Sequence, residues 1–415
     1  MKRILKIIGK VIIAIVILAI VAYSAAILIM GRKVESKINA LKAAGKPVSV
    51  ADLKPNIPDS ENAAVIYAQA FKLMSKPDVG KDMKTVAIFV SHPKPVQAKN
   101  AEEAIARSEK IMKLAEQAVS RPHCRFPIQP GDPSQQSQSL HHFAYLGALG
   151  RLYSADAVLK TNRGDMDGAI RSLETGIKVA DSMKEEPGIF SMLCRHAVIA
   201  IVTNGVRKTA EHGTLNQEQA KQLQSMLSGI DFKQSYAAAM DGERAMFISS
   251  LLIQTKHLPR GLMLYPNQLG VIDGIDRLLK ASNYPYRIIK QNKMLPDRQG
   301  RLCVIANMLV PVYNRTLESR DRAIANVGSA QVFVALAAYR SKFGHYPASL
   351  KELKSKTGLD LPQDPFSGKD FVYKPTTTGF VLYSYGEDLK DNGGQEYISG
   401  KRKPNQDYDI VWKAG

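Results

Sequence analysis

The sequence predicts a mainly α protein in three parts: an N-terminal transmembrane helix, a long helical domain and a small C-terminal α+β module. Three observations carry this. Val11–Met30 reads VIIAIVILAIVAYSAAILIM with no charged side chain; helical spacing dominates from His141 to about Thr255; and beyond residue 360 the pattern shortens to alternating, turn-bounded strands. The expected boundaries are 1–33 for a basic tail and anchor, 34–316 for the helical domain and 317–415 for the module.

Twenty helical residues rise about 30 Å, the thickness of a bilayer's hydrocarbon core. A lone span in lipid must be helical, because it has to satisfy its own backbone hydrogen bonds. A buried core helix is a poor alternative, since the run is apolar all round. A cleaved signal peptide is the stronger rival: Ala22-Tyr23-Ser24 resembles a cleavage site, but the apolar run continues to Met30, which favours a retained anchor. Lys2, Arg3, Lys6 and Lys10 precede the span, and Arg32, Lys33, Lys37, Lys42 and Lys46 follow it, so the positive-inside rule hardly discriminates. A short basic tail leading straight into the apolar run is a signal-anchor layout. The expectation is therefore a single-pass protein of the inner (cytoplasmic) membrane, held in the lipid bilayer by residues 11–30, with 34–415 extracytoplasmic.

Hydrophobic residues at 45% and charged residues at 23% suit a packed globular chain and argue against wholesale disorder. The net charge is +19, yet residues 331–415 hold twelve basic and ten acidic side chains, so the excess lies upstream. No basic run with interleaved aromatics occurs, so no nucleic-acid partner is expected; anionic lipid or polymer, or a solvated basic surface, is the better reading. Cys124, Cys194 and Cys303 are too few and too scattered to define a disulfide framework.

Lys46 to Pro58 is a proline-punctuated linker, after which Asp59 or Ser60 caps a helix through NAAVIYAQAFKLM. Val86–Val90 reads as one short strand, 101–119 as a helix and the four prolines of 121–133 as a loop. Leu152, Ala155, Val158 and Leu159, the turn Asn162-Arg163-Gly164-Asp165, then Ala169, Leu173, Ile177 and Ala180 predict an antiparallel helix pair. The pair resembles a tetratricopeptide unit, but one copy does not make a solenoid. Pro266, Pro285, Pro296 and Pro311 are expected to break any long helix over 260–316.

A helix from about Ser319 to Lys342 leads into the module. Asp364-Pro365-Phe366-Ser367-Gly368 is a turn by composition, and Asp370–Lys374 and Gly379–Tyr385 alternate as two strands. Glu387, Asp388, Asp391 and Asn392 then precede Gly393-Gly394, with Asp407 and Asp409 before the final strand; hard oxygen donors on a Gly-rich loop suit Ca²⁺.

The ordered set Tyr339, Gly344, Tyr346-Pro347, Leu361-Pro362, Asp364-Pro365-Phe366, Gly368, Tyr373, Ser384-Tyr385-Gly386, Asp388, Gly393-Gly394 and Asp409-Ile410 resembles the globular part of G-type major pseudopilins of type II secretion. It covers about the last quarter of the chain and is similar to modules appended to helical bacterial envelope proteins. The resemblance implies a calcium site carried by Asp388, Asp407 and Asp409. Two departures bear on it: Leu389 follows Asp388 where the family has Gly, and a basic insert with Lys401, Arg402 and Lys403 separates Gly394 from Asp409. Pilus assembly is not expected, because nearly 290 residues separate Met30 from Ser319 and the pseudopilin processing site is missing.

HExxH, GxSxG, P-loop and GxGxxG motifs are all lacking. His141-His142 cannot both face one metal, since adjacent helical positions diverge by about 100°. Cys194 and His196 read as core and boundary residues, His123-Cys124 as a loop pair with a faint thiol reading, and Asp241, Glu243 and Arg244 as an ion-pair cluster. The function expected is a non-enzymatic scaffold that contacts other envelope proteins. The alternative is an enzyme acting on an envelope polymer, with its site in the helical domain.

Overall fold

A computed structural model describes residues 2–91, 95–127, 141–254, 260–296, 300–396 and 408–415. It is mainly helical with one small sheet. In chain order the helices are α1 (Lys2–Ala43), α2 (Ala63–Met74), α3 (Pro77–Ser91), α4 (Pro95–Arg107), α5 (Glu109–Val119), α6 (His141–Asn162) and α7 (Met166–Asp181). They continue as α8 (Ile189–His212), α9 (Gln217–Ser228), α10 (Phe232–Gln254), α11 (Arg260–Ala281), α12 (Tyr286–Gln291), α13 (Val304–Phe343) and α14 (Leu350–Thr357). The strands are β1 (Val372–Pro375), β2 (Phe380–Ser384) and β3 (Ile410–Ala414).

The chain divides into two compact units. The first comprises Met1–Lys54, Met240–Lys280 and Leu295–Arg315. Here α1 is long and apolar enough to cross a membrane, with a mean hydropathy of 3.0 in its most apolar stretch. Large apolar side chains from Ile4 to Ile29 lie bare, Leu18 at 75% exposure. Beyond the apolar run the same helix becomes a packing element: Val34 is buried, Gly31 lies against the Tyr265 ring and Lys37 pairs with Asp273 at 2.5 Å. The proline-rich segment after it is fastened too. Lys46 pairs with Asp241 at 2.8 Å, and the Val50 N–H donates to Ser249 Oγ at 2.9 Å.

Two sequence expectations fail on helices of this unit. Pro266 and Pro311 sit inside α11 and α13 rather than ending them. Pro311 is on the exposed side of α13, where its ring is least crowded by neighbouring helices.

The second unit comprises Pro55–Ala239, Ala281–Met294 and Thr316–Gly415. Its core is the antiparallel pair α6 and α7, with α8 packed on both. The Asn162–Asp165 turn works as composition predicts: Gly164 takes φ +79°, and Asp165 caps α7 by accepting from the Gly168 N–H at 2.8 Å. The helices approach closely at glycine. A Cβ on Gly150 would lie 2.7 Å from Val198 Cγ1, and one on Gly205 the same distance from Ser154 Oγ. α8 is apolar enough to span a membrane by composition, but more than half of it is buried here.

Val86–Val90 is helical, not a strand. Pro77 starts α3 where its missing N–H costs nothing, and Val86 and Phe89 are both buried one helical turn apart. The expected 101–119 helix divides at Ser108 into α4 and α5, and the cap of α2 is Asn62, which accepts from the Ala64 N–H at 3.1 Å.

The sheet is antiparallel with β2 central. Val372 faces Tyr383 on one side, and Leu382 faces Trp412 on the other. It packs on α13 through Phe380 and Phe333, whose rings lie 4.7 Å apart. Fully burying a side chain of this size contributes about 2–3 kcal/mol. The Trp412 indole donates to Asn326 Oδ1 at 3.3 Å and has the Arg207 guanidinium 5.9 Å above its ring.

Candidate functional site

The module's turn chemistry starts with Asp364, which is 1% exposed. Its carboxylate accepts from the backbone N–H groups of Phe366 and Ser367 at 3.2 and 3.0 Å, an Asx-type turn closed by the left-handed Gly368. The Ser384 hydroxyl donates to the same carboxylate at 2.6 Å, so the turn is tied to the end of β2. The acidic loop begins two residues further on.

In that loop Asp409 is buried and accepts from the N–H groups of Asn392 and Gly394 at 3.2 and 2.7 Å. Asp388 accepts from the Lys390 N–H at 3.0 Å and from the Asn392 side-chain amide at 2.8 Å. Asp391 accepts from the Tyr383 hydroxyl at 3.0 Å and the Gly393 N–H at 2.8 Å. Burial pushes the Asp409 carboxyl above the ordinary carboxylate range, and the charges of Asp391 and Asp388 push it further, against the pull of the two N–H donors. Leu389, at the family's Gly position, adopts φ +66°, the left-handed conformation a glycine would take freely.

Of the three residues expected to hold calcium, Asp388 and Asp409 are thus brought to one loop and sense each other's charge, whereas Asp407 lies outside the described residues. Among the described residues no three acidic, His or Cys side chains converge as a ready metal cluster. The donors present are carboxylates and loop carbonyls, hard oxygens that suit Ca²⁺ in kind. Asp391, in the same acidic run, also lies in this loop and adds its charge beside Asp409, although the sequence reading did not include it among the ligands.

The other candidates have structural partners. His142 stacks on Phe126 with centroids 4.1 Å apart. Cys124 is buried and its thiol is pushed far up by burial, the reverse of an activated nucleophile, while His123 pairs with Glu185 at 3.3 Å. His196 is buried beside Phe232 and its imidazole is pushed down to about 3, by burial first and then by the charges of Arg195 and Arg320. Arg244 is 1% exposed and pairs with Asp241 at 2.5 Å and Asp276 at 3.1 Å; Glu243 accepts from the Tyr313 hydroxyl at 3.3 Å. The partners Asp276 and Tyr313 come from other helices and carried no sequence signal.

Two cavities of ligand size are lined by described residues of the second unit. One of about 580 Å³ is lined by Asp165, Asp167, Asn216, Lys342 and Lys356 among others. The other, about 560 Å³, holds a Ser–Lys–Asp cluster: Ser172 Oγ donates to Asp156 at 2.5 Å, and Lys160 Nζ reaches Asp156 at 2.6 Å and Ser172 at 3.0 Å. A salt-bridged ammonium has no lone pair with which to take the Ser172 proton. The backbone N–H groups around Ser172 are engaged within α7, which leaves the Lys113, Arg171 and Thr175 side chains as the donors lining the cavity.

No family model matches the chain, and neither the curated proteins nor the solved structures yield a match.

Proposed function

We propose that this chain is a single-pass envelope protein of the inner membrane, with its N-terminus cytoplasmic and residues from 34 onward outside, serving as a non-enzymatic scaffold. The observation that carries the reading is α1 itself. Between Ile4 and Ile29 it offers bare apolar side chains to the surroundings, while the same unbroken helix, from Gly31 on, is packed into the first unit. A helix with its C-terminal part built into a folded unit suits a retained anchor better than a peptide to be removed. The helical domain is the part that would contact other envelope proteins. The pseudopilin-like module would be stiffened by Ca²⁺ at Asp388 and Asp409, and at Asp407. When bound, the ion would offset the mutual repulsion of the loop's carboxylates.

The reading is tested by washing membranes from expressing cells with alkaline carbonate. The chain should stay in the pellet at its full 45.6 kDa. Release into the supernatant, or a mass shortened by cleavage after Ser24, would refute the anchor.

The Ser172–Lys160–Asp156 cluster gives the enzyme reading its best foothold, because it opens on a cavity large enough for a ligand. Ser172→Ala should leave any envelope phenotype of the protein intact; loss of the phenotype with an unchanged fold would favour the enzyme.

A further inference from the structure

We propose that the first unit rests on the bilayer surface, inserting the apolar face of early α13 (Val304 and Met308, with Leu302 beside them) into an anionic headgroup layer. The inference rests on the anchor reading and adds a second, peripheral membrane contact to it.

Three helices of this unit keep level with one another. A Cβ on Gly31, the first residue beyond the apolar run, would lie 3.3 Å from the Tyr265 ring, and nearly two turns later Lys37 meets Asp273 at 2.5 Å. On the other side of α11, the Cys303 thiol donates to the Pro266 carbonyl at 3.2 Å, and Asn267 Oδ1 accepts from the N–H groups of Ile305 and Ala306 at 2.8 and 3.1 Å. Further along, a Cβ on Gly274 would lie 2.8 Å from Val310. Residue numbers rise together in all three helices, so they run side by side in one direction. The plane that cuts α1 at Met30, where the bilayer core ends, therefore passes near Tyr265 and Cys303.

Just beyond that plane α13 presents bare apolar side chains. Leu302 is 47% exposed, Val304 50%, Met308 70% and Val312 56%. Val304, Met308 and Val312 are four residues apart and share one face. At about 1.5 Å per residue, Met308 stands roughly 6 Å above Val304, within the headgroup layer that adds about 5–7 Å to each side of the core. Arg301 and Arg315, both exposed, bracket the face. Charge points the same way. The unit holds eighteen Lys and Arg against seven acids, and fourteen against seven once Lys2, Arg3, Lys6 and Lys10 on the far side are left out. An apolar stripe bounded by arginines, on a basic unit fixed to a span, matches the chemistry of an interfacial membrane contact.

The test uses the full chain and its single tryptophan. In a Trp412→Phe background, Met308→Trp and Leu18→Trp are each reconstituted into vesicles of phosphatidylethanolamine and phosphatidylglycerol, with or without brominated acyl chains. Both positions are exposed, so folding is not at stake. Bromine near the headgroups should quench the Met308→Trp emission roughly twofold, and bromine deep in the chains should quench Leu18→Trp. Quenching of Leu18→Trp alone would overturn this inference and leave the anchor standing; a blue-shifted but unquenched Met308→Trp would assign the face to a second copy of the chain. If neither is quenched, the anchor fails and this contact with it.

Discussion

Arg320 and Asp321, neighbours on α13, bury their charges against each other with 2.6 Å between Nη2 and Oδ1. The guanidinium also donates to the carbonyls of Ser282 and Tyr284 at 2.5 and 2.7 Å, and Asp321 accepts from the Tyr286 N–H. The pair thereby staples the segment Ala281–Met294 to the helix that carries the module. Burial pushes the Asp321 carboxyl up while Arg320 pulls it down, so removing the arginine strands a desolvated acid. Arg320→Met should destabilise the second unit by about 3–5 kcal/mol, and the double variant Arg320→Met/Asp321→Leu by clearly less. Urea denaturation followed by circular dichroism reads both; equal losses would mean the charge pairing is incidental.

The turn at Asp364 gives a second, sharper prediction. Asp364→Ala leaves the Phe366 and Ser367 N–H groups and the Ser384 hydroxyl without their acceptor, at about 2–4 kcal/mol. Ser384→Ala removes one donor and should cost about 1 kcal/mol. Near-UV circular dichroism of Trp412 on β3 follows the module directly. A loss from Ser384→Ala as large as that from Asp364→Ala would contradict this account of the turn.

Two buried groups should titrate in opposition. Burial pushes the Glu186 carboxyl up from 4.5 to about 7, with Glu185 adding to it and the Phe126 N–H and Arg125 opposing. Between those values the folded chain holds a proton that the unfolded chain has lost, so this group's stabilisation falls as pH rises. His196 does the reverse. Its folded value of about 3 against 6.5 means that the unfolded chain takes the proton first, and stability falls as pH drops below 6.5. The slopes offset each other between about 4.5 and 6.5. Glu186→Gln should therefore melt at a temperature that climbs more steeply with pH than the parent across this window, by up to about 3 kcal/mol. Parallel melting profiles would rule out the Glu186 assignment.

Calcium has a separate readout. Excess Ca²⁺ over chelator should raise the module's melting temperature by a few degrees, as a ligand well above its dissociation constant adds about 2–3 kcal/mol. Asp388→Ala and Asp409→Asn should each abolish the shift. If the parent protein melts identically in calcium and chelator, the loop holds no calcium.

What the sequence made legible was whatever is decided locally. The apolar helix over Val11–Met30, the hairpin turn at Gly164-Asp165, the Asp364–Gly368 turn and the β1 and β2 strands each depend on residues within a few positions. Val86–Val90 misled because five apolar residues fit either period; burial of Val86 and Phe89 against neighbouring helices decided for helix. Pro266 and Pro311 misled because a proline's cost depends on what surrounds its freed carbonyl. The buried arginines were invisible for a further reason. Arg195 is 0% exposed, yet its partners Asp181 and Ser235 are 14 and 40 positions away. At the candidate site Asp388 was legible from loop composition, whereas the burial of Asp409 follows from its bridge to Glu396 at the start of β3.

The central claim is that residues 34–415 lie outside the cytoplasm on a retained anchor. Alkaline phosphatase fused after Gly415 tests it most directly, because that reporter needs disulfides and matures only in an oxidising compartment. The account predicts an active phosphatase that stays with carbonate-washed membranes. An inactive fusion, with green fluorescent protein fluorescing at the same junction, would place the bulk of the chain in the cytoplasm and contradict it.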